Sequence, residues 1–159
     1  MEKRITRIIS LLEKEYPGPG ISLRFEDPLQ LLVSTILSAQ CTDARVNIVT
    51  QQLFKKYKTV QDYAQAKQDE FEQEVRSTGF YRNKARNIIA AARMIVRDFG
   101  GKIPDTMESL VLLPGVARKT ANIVLYNAFG KIEGIAVDTH VRRLSQRLGL
   151  SSQEDPDKI

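Results

Sequence analysis

The sequence of 159 residues contains one cysteine, Cys41, one histidine, His140, and no tryptophan. A single cysteine cannot form an intrachain disulfide, and one cysteine with one histidine cannot assemble a zinc or iron–sulfur site from this chain alone. No apolar run approaches the ~18 residues that a membrane-spanning helix needs, and the charged first residues do not resemble a secretory signal. These absences exclude a disulfide scaffold and predict a cytoplasmic protein without a membrane partner.

The formal net charge of +5 is distributed unevenly along the chain. Residues 76–147 contain 13 Lys and Arg against 5 Asp and Glu, a local charge of +8, whereas the rest of the chain has a charge of −3. A segregated basic excess is typical of a protein that contacts nucleic-acid phosphates. An ordinary solvated surface also accommodates such charge, so composition alone leaves both interpretations open.

Helical periodicity and helix-boundary residues recur along the whole chain. Asp27 followed by Pro28 is typical of a helix start, and Gly130 is typical of a helix end. No segment has the length and alternation of a strand. The sequence therefore predicts an all-α fold, with helices over residues 3–15, 29–38, 43–57, 60–66, 68–77, 83–99, 105–112, 118–129 and 139–148.

Two of these helices carry specific side-chain predictions. In the long basic helix over residues 83–99, the periodicity places Val96 on the inner face and Lys84 among the solvent-facing cations. In the next helix, Asp105 with Glu108 three residues later has the pattern of a capping box.

Residues 106–129 have the pattern of two helices joined by a tight turn. Pro114 and Gly115 favour this turn, and the second helix then begins with backbone N–H groups that point outward between Gly115 and Ala117. Such a helix start binds phosphate through its N–H groups and macrodipole, without reading a base, and Arg118 adds positive charge. Helix pairs joined by Pro-Gly are also common in proteins that bind no phosphate, so the pattern alone is consistent with either role.

Four motifs occur in a fixed order along roughly residues 25–148. They are LSAQCTD at 37–43, TGFYRNKA at 78–85, LPGVARKTAN at 113–122 and VDTHV at 137–141. Together they resemble the helix-hairpin-helix DNA glycosylases, specifically the endonuclease III family. The resemblance implies a helix-hairpin-helix glycosylase fold in which two helical subdomains flank a DNA-binding cleft.

The resemblance also implies a domain organisation. Residues 25–130 would form a barrel-like helical subdomain that contains the hairpin at 106–129. Residues 1–24 would form a helix that joins a second helical subdomain, and residues 131–159 would begin that subdomain and carry Asp138.

The implied function is base-excision repair of damaged double-stranded DNA, in which an oxidised pyrimidine such as thymine glycol is released and the strand is then nicked. Lys119 matches the family's nucleophile, because an amine can attack the sugar C1′ and form a Schiff base that permits β-elimination. Asp138 matches the carboxylate that stabilises the developing sugar cation and assists proton transfer. Without the motifs, Lys119 is equally consistent with a solvated lysine and Asp138 with the N-cap of the last helix.

A flipped base leaves a gap in the duplex. The family motifs assign this gap to Gln40 and Phe80, one hydrogen-bonding the orphaned base and the other wedging into the stack. The alternatives are an exposed helix end for Gln40 and a core position for Phe80. The complete set of predicted DNA-binding residues is Gln40, Phe80, Leu113, Gly115, Ala117, Arg118 and Thr120.

The chain departs from the family pattern in three places. Many relatives have an aliphatic residue where this chain has Phe80. Ala117 stands where many relatives have a second glycine, and it keeps the N–H donor for phosphate provided that its φ is negative. Endonuclease III relatives usually continue into a segment whose four cysteines hold a 4Fe-4S cluster, whereas these residues reach Ile159 without one. The resemblance therefore predicts a C-terminally incomplete chain, with no metal site of its own and a cluster only in a longer protein.

Two alternative functions use parts of the same pattern. A monofunctional mismatch or adenine DNA glycosylase typically has a different residue where this chain has Lys119. A non-catalytic helix-hairpin-helix DNA-binding fragment has no need of Asp138 at this spacing. Both residues favour the glycosylase and lyase, which we expect to act as a monomer in a prokaryotic cytoplasm, associated with the nucleoid through DNA.

Overall fold

The computed structural model describes residues 2–159, and every regular element within that range is a helix. The all-α prediction is thereby confirmed. The α-helices are α1 (Glu2–Glu15), α2 (Pro28–Ser38), α3 (Asp43–Lys56), α4 (Val60–Ala64), α5 (Gln68–Val75), α6 (Tyr81–Asp98), α7 (Met107–Leu110), α8 (Arg118–Phe129) and α9 (Thr139–Arg147), with short 3₁₀ turns at Arg76–Thr78 and Pro156–Lys158.

The chain divides into two compact units. One is Ser22–Ala136, which contains α2 to α8, and the other combines Met1–Ile21 with Val137–Ile159 and contains α1 and α9. Among the described residues, all buried apolar side chains belong to the Ser22–Ala136 unit.

Helix α2 is the central helix of the Ser22–Ala136 unit and contacts α3, α6 and α8. Its sequence is almost continuously apolar, and Leu31 and Leu37 are fully buried. Its start is fixed locally, because the Asp27 carboxylate accepts a hydrogen bond of 2.8 Å from the Gln30 N–H and Pro28 occupies the first helical position. Because α2 packs against three other helices, the position at which the loop after Ser38 begins is well defined.

In the smaller unit, the C-terminal end of α9 is hydrogen-bonded to a side chain of α1. The Arg4 guanidinium donates hydrogen bonds to the Leu148 and Gly149 carbonyls at 3.1 and 2.7 Å. These carbonyls follow the last turn of α9, where a cation interacts favourably with the helix dipole. The apolar side chains of α1 remain largely solvent-exposed, for example Ile9 at 49% and Leu12 at 46%.

Three side-chain predictions for α6 and α7 are wrong. Lys84 is buried, at 5% exposure, because it lies in the first turn of α6 facing the core, where two backbone carbonyls accept its hydrogen bonds. Val96 is 37% exposed, near the end of the helix. The N-cap of α7 is Thr106, whose hydroxyl accepts from the Ser109 N–H, because the helix begins one residue later than a cap at Asp105 requires.

Asp105 binds a lysine instead of capping α7. The Lys131 ammonium donates to an Asp105 carboxylate oxygen at 2.6 Å and to the Asp105 carbonyl at 2.8 Å. This contact lowers the pKa of the Asp105 carboxyl. The two residues thus connect the segments before α7 and after α8.

An aromatic cluster packs beside α4 and α5. The Tyr63 ring lies 5.1 Å from the Tyr57 ring and 5.9 Å from the Phe71 ring, measured between centroids. Tyr63 is 1% exposed, and its hydroxyl has no hydrogen-bond partner among the described residues. Burial in these apolar surroundings raises the pKa of Tyr63.

We expect Tyr63→Phe to preserve stability at pH 7 or raise it by about 1 kcal/mol, since it removes a buried hydroxyl that has no partner among the described residues. Above the ordinary tyrosine pKa of 10, the unfolded chain loses the Tyr63 proton while the folded chain keeps it, so the folded state binds more protons and wild-type stability falls as pH rises. The stability of the Tyr63→Phe variant should fall less steeply as the pH rises. Urea denaturation at pH 7 and pH ~10.5 measures both effects.

Tyr126→Phe is the control, because the Tyr126 ring is 60% exposed. It should change stability little at pH 7. A loss of 1 kcal/mol or more at pH 7 in Tyr63→Phe would show that the buried hydroxyl has a stabilising partner.

Candidate nucleic-acid interface

The hairpin between α7 and α8 is built on two successive backbone turns. The Leu113 N–H donates to the Leu110 carbonyl at 3.1 Å, and the Val116 N–H donates to the Leu113 carbonyl at 3.0 Å. Leu113 and Val116 are buried beneath these turns. The apolar side chains therefore anchor the hairpin to the core while Gly115 and the start of α8 face solvent.

Gly115 is required at this turn for two separate reasons. Its φ of +80° lies in the left-handed region that side chains disfavour. In addition, a Cβ at this position would lie 2.8 Å from the Asn87 Cβ on α6. The close approach of the turn to α6 could not be foreseen from the motif.

We expect Gly115→Ala to destabilise the protein by about 2 kcal/mol, because backbone strain and the clash with Asn87 add together. Gly130→Ala is the matched control: Gly130 has a similar φ of +65°, and a Cβ added there would meet no atom within 4 Å. Gly130→Ala should lower the free energy of unfolding by only about 1 kcal/mol. Urea denaturation of both variants measures the difference, and equal losses would remove Asn87 from the explanation.

The start of α8 presents backbone donors to solvent. Ala117 is its N-cap residue, and no side chain caps the helix. Within the described residues, the N–H groups of Gly115 and Ala117 donate to no protein oxygen. The φ of Ala117 is −89°, so alanine is unstrained in place of the second glycine. Donors in this arrangement can bind a phosphate oxygen together with the positive end of the helix dipole.

The first turn of α8 also carries the predicted basic residues. Arg118 and Lys119 are both exposed, and Thr120 is half-buried. Leu113 is 2% exposed, so of this predicted DNA-binding residue only the backbone can face a ligand. The structure thus brings Gly115, Ala117 and Arg118 to one exposed edge beside Lys119.

Asp138 is the N-cap of α9 in the other unit. Its Oδ1 accepts hydrogen bonds from the His140 N–H at 2.9 Å and the Val141 N–H at 2.8 Å. The interpretation of Asp138 as a helix cap is therefore confirmed. Capping uses backbone N–H groups and is compatible with a second, chemical role for the carboxylate.

Gln40 and Phe80 share an unusual backbone conformation. Among the described residues they are the only non-glycine residues with positive φ, at 52° and 47°. Gln40 follows the end of α2, and Phe80 is the N-cap residue of α6. Both are exposed, Phe80 at 65%, which contradicts the alternative of a core phenylalanine. Left-handed conformations at non-glycine residues cost energy and cluster at functional sites.

The basic surface is smaller than the sequence count indicates. Of the 13 cations in residues 76–147, Lys84 is buried, Arg97 pairs with Asp98 at 2.6 Å and Lys131 pairs with Asp105 at 2.6 Å. Burial of Lys84 removes one cation from this surface, whereas Asp98 and Asp105 are already included in the local charge of +8.

Sequence reasoning missed two buried polar residues near the interface. The Lys84 ammonium donates hydrogen bonds to backbone carbonyls, and the Asn122 side-chain amide donates to the Ile135 carbonyl at 3.2 Å. Asn122 is 6% exposed. Lys84 lies in the motif at 78–85, and Asn122 lies in the motif at 113–122. Their place in these motifs is the only signal in the sequence that could have identified them.

Neither a metal cluster nor a membrane span is present in residues 2–159. No group of three or more His, Cys, Asp or Glu side chains in that range could hold a metal ion. No helix there is long and apolar enough to cross a membrane.

A solvent-facing helix-hairpin-helix turn on an all-α scaffold is typical of proteins that bind nucleic-acid phosphates. The sequence profile of the HhH-GPD superfamily base excision DNA repair proteins matches residues 33–159. Endonuclease III of Synechocystis sp. is 55% identical over 158 residues, which cover 99% of this chain and 72% of that protein. Endonuclease III of Bacillus subtilis is 46% identical over 153 residues, covering 96% and 69%.

Two solved structures have the same fold. A non-covalent endonuclease III–DNA complex has a TM-score of 0.91, and a trapped endonuclease III–DNA covalent intermediate has a TM-score of 0.92. Each is 45% identical in sequence and covers 98% of this chain and 72% of the other. The chain belongs to the endonuclease III family of base-excision-repair DNA glycosylases with lyase activity, so the predicted family and fold are confirmed.

Proposed function

We propose that this protein releases an oxidised pyrimidine such as thymine glycol from damaged double-stranded DNA and then cleaves the strand, with Lys119 as the nucleophile. The observation that carries the proposal is the position of Lys119. It is exposed in the first turn of α8, directly after the turn whose backbone donors face solvent. A phosphate held at those donors would bring the adjoining sugar within reach of a lysine side chain.

The proposed reaction uses the Lys119 amine in its uncharged form. The Nζ lone pair attacks C1′ of the flipped nucleotide, and the base departs with the electrons of the glycosidic bond and takes up a proton. The attacking nitrogen then loses a proton, and the C1′–O4′ bond breaks as O4′ takes up a proton, so that the sugar ring opens and the C1′–N bond becomes a protonated Schiff base. This group withdraws electrons, so loss of a C2′ proton expels the 3′ phosphate by β-elimination, and water hydrolyses the imine to regenerate Lys119.

The proposed role of Asp138 is electrostatic. Positive charge develops on the sugar as the glycosidic bond breaks, and an ionised carboxylate stabilises it. The same carboxylate assists proton transfer in the later steps. We propose that the two compact units of the chain correspond to the two helical subdomains of the family, with Lys119 on one and Asp138 on the other.

The proposed DNA contacts divide into phosphate binding and gap filling. Gly115, Ala117 and Arg118 bind the phosphate backbone through N–H groups and charge, supported by the backbone at Leu113 and the side chain of Thr120. Gln40 and Phe80 enter the space that the flipped base leaves. The exposure of Phe80 supports this assignment.

The 4Fe-4S cluster of the family does not fit the residues present here. Such a cluster is ligated by four thiolates, and Cys41 is the sole cysteine of this sequence. No step of the proposed reaction involves the cluster. We infer that the protein acts on DNA as a monomer, in the cytoplasm and at the nucleoid.

Borohydride trapping distinguishes the proposed function from its alternatives. The protein is incubated with a duplex that contains thymine glycol or an abasic site, and borohydride is added to reduce any Schiff base. A covalent protein–DNA adduct is the expected result. Base release without an adduct would indicate a monofunctional glycosylase, and DNA binding without turnover would indicate a non-catalytic module.

A further inference from the structure

We propose that the buried Lys84 is a positioning residue that holds the loops carrying Gln40 and Phe80 in one fixed arrangement. The inference rests on the proposed function, in which those two residues fill the gap left by a flipped base. Lys84 itself is buried at 5% exposure and touches no DNA in this proposal. Its effect on the reaction is exerted through the two loops.

The geometry joins two segments that are distant in sequence. The Lys84 Nζ donates a hydrogen bond of 2.8 Å to the Leu37 carbonyl and one of 2.7 Å to the Thr78 carbonyl. Leu37 precedes Gln40 by three residues, and Thr78 precedes Phe80 by two. One ammonium group therefore fixes the backbone just before each of the two exposed side chains.

Both carbonyls need a donor from outside their own helices. The Cys41 N–H, which would continue α2 by bonding to Leu37, donates instead to the Ser38 carbonyl at 3.0 Å. Thr78 is the last residue of the 3₁₀ turn before α6. Carbonyls at helix ends lack intrahelical partners, and a cation there also interacts favourably with the helix dipole.

The chemistry of lysine suits this position. Within the described residues no carboxylate lies within 4.0 Å of the Lys84 ammonium, so the groups that accept its hydrogen bonds are carbonyl dipoles. Burial lowers the pKa of Lys84. Charge-assisted hydrogen bonds to two carbonyls compensate for part of the cost of burying the charge.

The backbone strain at Gln40 and Phe80 explains why a restraint by Lys84 is needed. Gln40 and Phe80 adopt left-handed conformations that non-glycine residues keep only where the surrounding structure holds them. Lys84 restrains the residues just before both of them. A gap-filling pair with preset spacing loses less conformational freedom when it enters DNA, which favours the flipped state.

The first test is amide hydrogen exchange of the free protein, which requires no DNA activity. Lys84→Met keeps an apolar chain of similar length but removes the donors. We expect exchange around residues 39–42 and 79–82 to accelerate together by about tenfold. Arg93→Met is the matched control, because it removes one charge from the same helix and a 3.0 Å hydrogen bond to the Ala64 carbonyl, outside both loops. Unchanged exchange in both loops of Lys84→Met would overturn the proposal.

The second test measures insertion and catalysis at saturating protein. The duplex carries 2-aminopurine opposite a non-cleavable abasic analogue, so its fluorescence reports on the base that faces the gap. We expect Lys84→Met to show a smaller fluorescence change and base release from a thymine glycol duplex slowed by about 10- to 100-fold. Borohydride trapping on a single-stranded abasic oligonucleotide has no stack to fill and should change by less than about twofold.

The outcomes separate this inference from the function on which it rests. If wild-type protein neither traps DNA nor alters the fluorescence, the proposed function fails while hydrogen exchange still tests the restraint. If Lys84→Met slows duplex and single-stranded reactions equally, Lys84 has a general structural role and the proposal fails. If Lys84→Met does not fold, Lys84→Gln replaces it, because this variant keeps an amide group that can donate. Lys84→Gln should accelerate exchange in at least one of the two loops. Unaltered exchange in both loops would contradict the proposal.

Discussion

Lys119→Ala is expected to abolish borohydride trapping and to slow base release from a thymine glycol duplex by on the order of 10³-fold or more. The substitution removes the only group in the proposed reaction that bonds covalently to C1′. Lys119 is exposed in the first turn of α8, so its loss should leave the core and the melting temperature nearly unchanged. Single-turnover base release and adduct formation on gels measure the effect.

Two variants separate the chemistry of Lys119 from its charge. Lys119→Arg keeps the positive charge but has no nucleophilic amine, so it should bind DNA more tightly than Lys119→Ala while forming no adduct. Lys67→Ala removes a largely exposed lysine outside the basic segment, paired with Glu70 at 3.0 Å, and should trap like the wild type. An adduct of normal yield in either Lys119 variant would assign the nucleophile to another residue.

The starts of α2 and α9 are predictable from the sequence because capping is local chemistry, whereas the predicted cap of α7, Asp105, lies one residue before the observed cap, Thr106. Asp27 and Asp138 each accept hydrogen bonds from backbone N–H groups two or three residues ahead, as their positions in the sequence predict. Contacts between distant segments were not predictable in this way. The helical periodicity predicts Lys84 on the solvent side, and its partners Leu37 and Thr78 are identified only by the folded structure.

In the candidate site as well, features that depend on local sequence are predictable and features that depend on tertiary packing are not. The predicted helix over residues 29–38 ends just before Gln40, as the structure shows, whereas Phe80 is the N-cap of α6, which begins two residues earlier than predicted. Their positive φ values could not be inferred, because neither residue type favours that conformation and it depends on surrounding packing. Similarly, the motif identifies Gly115, but its contact with Asn87 becomes visible only once α6 packs against the hairpin.

Asp138→Asn is expected to retain folding and DNA binding while slowing base release by about 10²-fold or more. The cap should survive, because both backbone hydrogen bonds, from His140 and Val141, are accepted at Oδ1, and asparagine offers a carbonyl oxygen there. Asparagine and aspartate are similarly good N-cap residues. What disappears is the negative charge that stabilises the developing sugar cation. Base release is measured at saturating protein, and DNA affinity is measured by titration at fixed salt.

Asp27→Asn is the matched control for the loss of a capping charge. Asp27 caps α2 through a 2.8 Å hydrogen bond from the Gln30 N–H, so the change removes the same charge from the same kind of position. If the Asp138 carboxylate acts on the sugar, Asp138→Asn loses activity and Asp27→Asn does not. If Asp138 were only a cap, the two variants would behave alike, and Asp138→Ala would lose activity only in proportion to a stability loss of about 1 kcal/mol. Parallel loss of DNA binding and base release in Asp138→Asn would likewise contradict the chemical role, because a transition-state charge contributes to the rate and not to ground-state binding.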